Sequence, residues 1–173
     1  MNALDAFTLP ISGLKVGTHQ FDFQLDKSFF DEYEAAPVKA GNVQVSVELD
    51  KRADMMVFRF EVKGTIATQC DRCLADIDLP IEGTHDLIVK YLPAEGNPEP
   101  ELIYIDRAAT QLKLANHLYE FTCLTIPMIK VYDCQVDDPI PCNEELLDIL
   151  DGEAGTDSVP DNPIWDVLKD LKK

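Results

Sequence analysis

Apolar and polar residues alternate one for one over much of the first hundred positions. Phe21, Phe23 and Leu25 alternate with Asp22 and Gln24. Val43, Val45, Val47 and Leu49 alternate with Gln44, Ser46 and Glu48, and Met56, Phe58, Phe60 and Val62 with Val57, Arg59 and Glu61. A period of two sends one set to each face of a β-strand. Three strands are therefore predicted, the last two joined as a hairpin through the polar turn at 50–54. The alternation runs on past Val62 through Gly64, Ile66, Thr68 and Cys70, which is long for one flat strand. Gly64 is the natural place for a bend or bulge that passes the chain to a second layer. Ile77, Leu79 and Ile81 predict the next strand. Pro80 within it has no N–H to donate, which places it at an edge or with its donor side toward water. Leu87, Val89 and Tyr91 predict another strand. Leu102 and Tyr104 predict a short one beyond the acidic, Pro-rich loop at 93–100.

Helical spacing appears at 26–33, behind an Asp26 cap, and again at 106–123. In the second stretch Ala108, Leu112, Ala115 and Tyr119 share one face, and Leu114, Leu118 and Phe121 line its neighbour. An apolar arc of that width suits a helix packed on a sheet, and Pro127 follows its end. The fold class expected is α+β: an antiparallel β-sheet bent into two layers or a partial barrel, one packed helix and short C-terminal helices. Residues 1–134 read as a β-rich core domain and 135–173 as an acidic tail. The tail contains a capped helix at 143–150 and a linker at 151–162 that is flexible by composition. Pro163 opens a last helix, with Ile164, Val167, Leu168 and Leu171 as its stripe.

Charge narrows the function classes. The chain of 173 residues carries 32 acidic and 15 basic side chains, a net charge of −17. The tail from Gln135 onward holds 11 acidic and 3 basic residues. Nucleic-acid binding draws much of its affinity from Lys and Arg replacing counterions on phosphates, so a large phosphate-gripping face is not expected. A basic protein partner, such as a ribosomal protein or assembly factor, fits better. The opening residues lack the basic-then-apolar pattern of a signal peptide, and no apolar run is long enough to span a bilayer. Together with an odd number of cysteines, this predicts reduced thiols, a cytoplasmic location and no membrane partner.

Candidate chemistry centres on Cys70 and Cys73, spaced C-x-x-C between two strand-like runs. Two thiolates at a strand-to-strand turn have the geometry of half a zinc knuckle. The remaining ligands of a structural zinc site would be Cys134 and Cys142, a C-x7-C pair in a Pro- and Asp-containing loop. Thiols without metal and a redox pair are the competing readings. The redox reading is opposed by the missing helix N-terminus and by Asp71, although Arg72 favours a thiolate. Cys123 reads as a small core residue. His19, His85 and His117 have no ligand spacing, and no nucleophile triad, P-loop or dinucleotide fingerprint is present. No enzyme is expected.

The stretches ISGLKVGTHQFDFQLDKSFF, VKGTIATQCDRCLADIDLPIEG, LTIPM after the helix, and NPIWDVLKDL occur in that order. Together they resemble the YceD family of large-ribosomal-RNA-accumulation proteins, long grouped as a domain of unknown function. The most specific piece is G-T-I-x-x-x-C-D-R-C-L, which singles out Gly64, Asp71, Arg72 and Leu74 beside the two cysteines. The resemblance implies a non-enzymatic cytoplasmic protein supporting accumulation or processing of large-subunit ribosomal RNA. Genes of the family often neighbour one for a small large-subunit ribosomal protein. Many members carry a second Cys pair set in C-P-x-C-G. That motif is absent here, where Cys142 matches one Cys of the pair and Cys134 is a further candidate. The alternatives set beside this role are a zinc-binding or thiol-redox protein using Cys70 and Cys73, and an acidic interaction adaptor unrelated to ribosomes.

Overall fold

The computed structural model describes residues 3–33, 38, 40–92, 103–132 and 141–153. A 3₁₀ turn (Ala3–Phe7) leads into β1 (Thr8–Pro10) and β2 (Gly17–Leu25). After them come α1 (Lys27–Phe30), β3 (Gly41–Lys51), β4 (Met55–Gln69) and β5 (Asp76–Tyr91). The chain continues with β6 (Ile103–Ile105), β7 (Gln111–Lys113), α2 (Ala115–Thr125) and α3 (Glu144–Glu153). Five strands form one sheet in the order β2-β3-β4-β5-β6, and β1 pairs with β7 as a separate ribbon. The architecture is the expected α+β, and the strands of the described residues do not close into a barrel. One departure is the parallel pairing of β6 with β5.

Period-two patterning decides which face is covered. Val43 to Leu49 on β3, Met56 to Val62 on β4 and Ile77 to Ile81 on β5 turn their apolar sets to one face, where they are buried. Against that face pack α2, through Ala115 and Leu118, and α1, through Phe29 and Phe30. Asp26 starts α1 by accepting the backbone N–H groups of Ser28 and Phe29, the cap its position predicts. Phe7 packs edge-on to Phe29, and Tyr33 stacks on Tyr119 with ring centroids 4.0 Å apart. These contacts join the N-terminal segment to both helices. On the opposite face, Gln44, Glu48, Arg59, Glu61, Asp78 and Asp86 are exposed.

Three expectations need correction. The helix expected at 106–123 begins only at Ala115. Upstream of it, Asp106 caps a turn by accepting the Ala108 N–H, and Gln111–Lys113 pairs antiparallel with Thr8–Pro10. The Leu114 N–H donates to the Phe7 carbonyl. Long-range strand pairing thus overrides a helical pattern shared by Ala108 and Leu112. Next, the two strands read at 77–81 and 87–91 are one continuous strand, β5, paired with β4 along its length. Finally, α3 runs to Glu153, so the first residues of the stretch read as a linker are helical. The rest of the linker and the helix expected from Pro163 lie outside the described residues.

Gly64 is not a bulge, since the register Val43↔Gly64↔Ile81 is unbroken. Its missing side chain serves close approach. A Cβ there would lie 2.3 Å from the Asn42 carbonyl oxygen and 2.6 Å from Val43 Cα. In a flat sheet a Cβ stands clear of the neighbouring backbone, so the sheet curves sharply toward its covered face at this point. Gly41 repeats the feature, where a Cβ would meet the Thr65 carbonyl oxygen at 2.8 Å. Gly64→Ala is therefore expected to lose about 1–3 kcal/mol of unfolding free energy in denaturant titrations, as overpacking does. Gly13→Ala, which meets nothing within 4 Å, should stay within about 0.5 kcal/mol of the parent.

Candidate functional site

The chain reverses between β4 and β5 through Cys70, Asp71, Arg72, Cys73 and Leu74. The Cys70 N–H donates to the Ala75 carbonyl at 2.8 Å and the Leu74 N–H to the Cys70 carbonyl at 3.0 Å. Leu74 takes a φ of 56°, the left-handed region that favours glycine, at a cost of roughly 1–2 kcal/mol. The Gln69 amide holds that conformation by donating to the Leu74 carbonyl at 2.8 Å. Leu74 itself points outward and is over half exposed.

Both sulfurs of the pair are withdrawn from water, with Cys70 and Cys73 each 1% exposed. Burial pushes the Cys70 thiol up. The backbone N–H groups of Cys73 and Arg72 and the Cys73 thiol, all directed at its sulfur, outweigh that and leave it below its ordinary value, although the Asp71 charge opposes them. Cys70 and Cys73 are thus brought together at the turn, as the spacing requires. Cys142 packs against the core and is disulfide-bonded, a departure from the expectation of reduced thiols, whereas Cys134 lies outside the described residues. Among the described residues no group of three or more His, Cys, Asp or Glu side chains is placed to hold a metal ion. Cys123 is a free thiol, raised by burial and packed against the core as expected.

The turn is tied to a strap that follows α2, a connection of 59 residues that sequence reasoning missed because no local signal marks it. The Asp71 N–H donates to the Lys130 carbonyl at 2.8 Å, and the Lys130 N–H returns to Asp71 Oδ2 at 2.7 Å. Lys130 Nζ stands 3.7 Å from Asp71 Oδ1. Between strap and sheet lies a cavity of about 230 Å³ lined by Ile66, Thr68, Cys123, Ile126, Pro127 and Lys130. Beside it the last turn of α2 exposes Leu124 (69%), and the strap exposes Met128 (99%) and Ile129 (71%). Closer to α2, His85 is accounted for structurally. Its ring stacks on Phe121 at 5.0 Å, and Nε2 lies 2.9 Å from Thr125 Oγ1.

The open face of the sheet carries the second chemical feature. Register sets Glu48, Arg59 and Asp86 in one cross-strand row, and Gln44, Lys63 and Glu82 in another. Arg59 grips Asp86 with two hydrogen bonds of 3.0 and 3.3 Å. Lys63 reaches Glu82 at 3.6 Å. Asp78 faces Ala67 and Asp76 faces Gln69, so neither has a cation across the strand. The hydrogen bond from Arg59, and then its charge, hold the Asp86 carboxyl below the usual range.

Two outcomes follow. Asp71→Ala removes the acceptor for the Lys130 N–H. Amide exchange at Lys130 should speed by about fivefold while that of β4 core amides is unchanged, in keeping with roughly 1 kcal/mol for one hydrogen bond. A carbon-detected titration should place the Asp86 midpoint below the ordinary value of about 3.9, and Arg59→Ala should return it there. The contribution of this pair to stability is complete above the ordinary Asp range. It is lost as pH falls through the lowered value.

Residues 58–172, about two thirds of the chain, match the family described as "Large ribosomal RNA subunit accumulation protein YceD". The match begins within β4 and includes the Cys turn, β5, α2 and α3. No curated protein and no solved structure matches the chain.

Proposed function

The chain belongs to the YceD family, and from that membership we propose that it is a non-enzymatic, cytoplasmic factor supporting accumulation of large-subunit ribosomal RNA through contact with a basic protein. The family match supports the ribosome-biogenesis role. The observation that favours protein contact over direct RNA grip is the charge of the open sheet face. Arg59 and Lys63 are both engaged by carboxylates, and Asp76 and Asp78 face no cation. A phosphate backbone approaching that face would meet uncompensated negative charge, whereas Lys- and Arg-rich protein would find partners. The net charge of −17 extends the same bias to the whole surface. Among the described residues no helix is long and apolar enough to cross a membrane.

Depletion of the protein in its own cell is expected to lower the ratio of large- to small-subunit RNA in sucrose-gradient profiles. Capture of the tagged protein at about 0.15 M salt, where exposed charges interact within roughly 8 Å, should recover a basic ribosomal protein or assembly factor. An unchanged subunit profile would overturn the ribosomal role. Recovery of RNA without a basic protein would overturn the protein-contact route.

A further inference from the structure

We infer that the outer edge of β5 is a docking site for an extended basic segment of a partner protein, which adds to the sheet as a further strand. The inference rests on the basic-partner reading above and assigns it a place and a mode.

Hydrogen-bond parity identifies what this edge offers. The Cys70 N–H bonds the Ala75 carbonyl, so Cys70 and Ala75 form a hydrogen-bonded pair. Such pairs alternate along an antiparallel ladder. With Gln69↔Asp76 and Thr65↔Pro80 in register, the odd-numbered residues of β5 direct N–H and C=O toward β4. The even-numbered ones direct theirs to the outside. Leu92 obeys the same parity, donating its N–H to Ile105 on the far side. Pro80 falls in the outward set, where its missing donor takes nothing from the β4 ladder. Among the described residues, β6 covers only Val89–Tyr91 of this edge. From 76 to 88 no strand of the described residues lies beside the outward backbone groups.

An uncovered edge is a template for another chain, and charge decides which chain. The even-numbered residues that supply the outward backbone groups include Asp76, Asp78, Glu82 and Asp86, all exposed. A second copy of this chain would bring the same carboxylates to the edge and be repelled. An incoming strand with Lys or Arg at alternate positions would set cations beside Asp76 and Asp78. The opposite edge of the sheet lacks this bias. By the same parity, β2 turns Thr18, Gln20, Asp22 and Gln24 outward, and its one acid already accepts the Ser46 hydroxyl at 2.6 Å.

The test uses the full chain and a synthetic twelve-residue peptide alternating Lys with Val and Thr. Binding is followed by fluorescence anisotropy and by amide exchange. The peptide should slow exchange at Asp76, Asp78, Glu82 and Thr84, and leave Thr18, Gln20 and Gln24 as they were. Methylating alternate backbone nitrogens of the peptide should abolish binding, because the charge is kept and the ladder is lost. The exposed double variant Asp76→Asn/Asp78→Asn should weaken binding by about 3- to 10-fold at low salt, and Asp22→Asn should not change it. Binding that survives methylation, or protection at β2 in place of β5, overturns the edge assignment. So does no binding by a preparation that still captures its basic protein from cells, and in that case the basic-partner reading stands. Loss of both capture and peptide binding overturns the two together.

Discussion

Fifteen residues of β4 pair without interruption against β5, and a slip of β4 by one residue in that ladder would exchange its two faces relative to β5. Met56, Phe58, Phe60 and Val62 would leave the core, and Arg59, Glu61 and Lys63 would enter it. Burial of the four apolar side chains is worth roughly 1.5–3 kcal/mol each, so the correct register is held by far more than any single contact. Both neighbours inherit it. β3 is locked to β4 by its own alternating set, and α2 can seat Leu118 and Ala115 only on the face that this register makes apolar. The sharp curvature at Gly64 belongs to the same constraint. A long ladder that must cover its apolar face from one end to the other curls over what covers it, and at Gly64 and Gly41 an added Cβ would meet the backbone of the neighbouring strand.

The hairpin also fixes the charge pattern, since every residue that points away from the core belongs to the complementary set. The outer face is therefore a consequence of the core rather than a separate feature. Arg59 lies between Glu48 and Asp86 because Phe58 and Phe60 lie inside. Toward the Cys turn, Asp76 and Asp78 have Gln69 and Ala67 as cross-strand neighbours. Exposed ion pairs such as Lys63–Glu82 add little to stability. Their effect is to engage Arg59 and Lys63 with carboxylates.

Much of this was legible in the sequence because a period of two is a local signal. Val43 to Leu49 and Met56 to Val62 gave the first hairpin, Asp26 gave the start of α1, and the position of Pro80 gave the water-facing donor side of β5. The stretch 106–114 misled for the opposite reason. Ala108, Leu112 and Ala115 satisfy a helical period, but Leu112 is placed by pairing with Leu9, about a hundred residues away. The junction of 77–81 with 87–91 was hidden because Gly83, Thr84 and His85 interrupt the apolar series. Gly83 is small where a Cβ would crowd the Thr125 side chain, and His85 is accommodated by Phe121, so the interruption is a packing site for α2 and the strand continues through it. The tie between Asp71 and Lys130 leaves no sequence trace, since a backbone carbonyl and an amide are available at any residue.

The C-x-x-C turn takes its physical meaning from these constraints. At the tip of the hairpin the apolar face narrows to the width of two strands, and a small buried side chain on each arm suffices to close it. Cysteine fills that space, and the backbone N–H groups of Cys73 and Arg72 favour the charged form of Cys70. The cost is Leu74 in a left-handed conformation, and it is offset by ties from two directions, Gln69 on the strand and Lys130 on the strap. A turn held this firmly fixes the parity of everything after it. Ala75 must pair with Cys70, so Asp76 and Asp78 must face outward, at the end of the sheet where no cation answers them. The two cysteines thus act on the surface without leaving the core, because they determine which backbone and which carboxylates the outer edge presents.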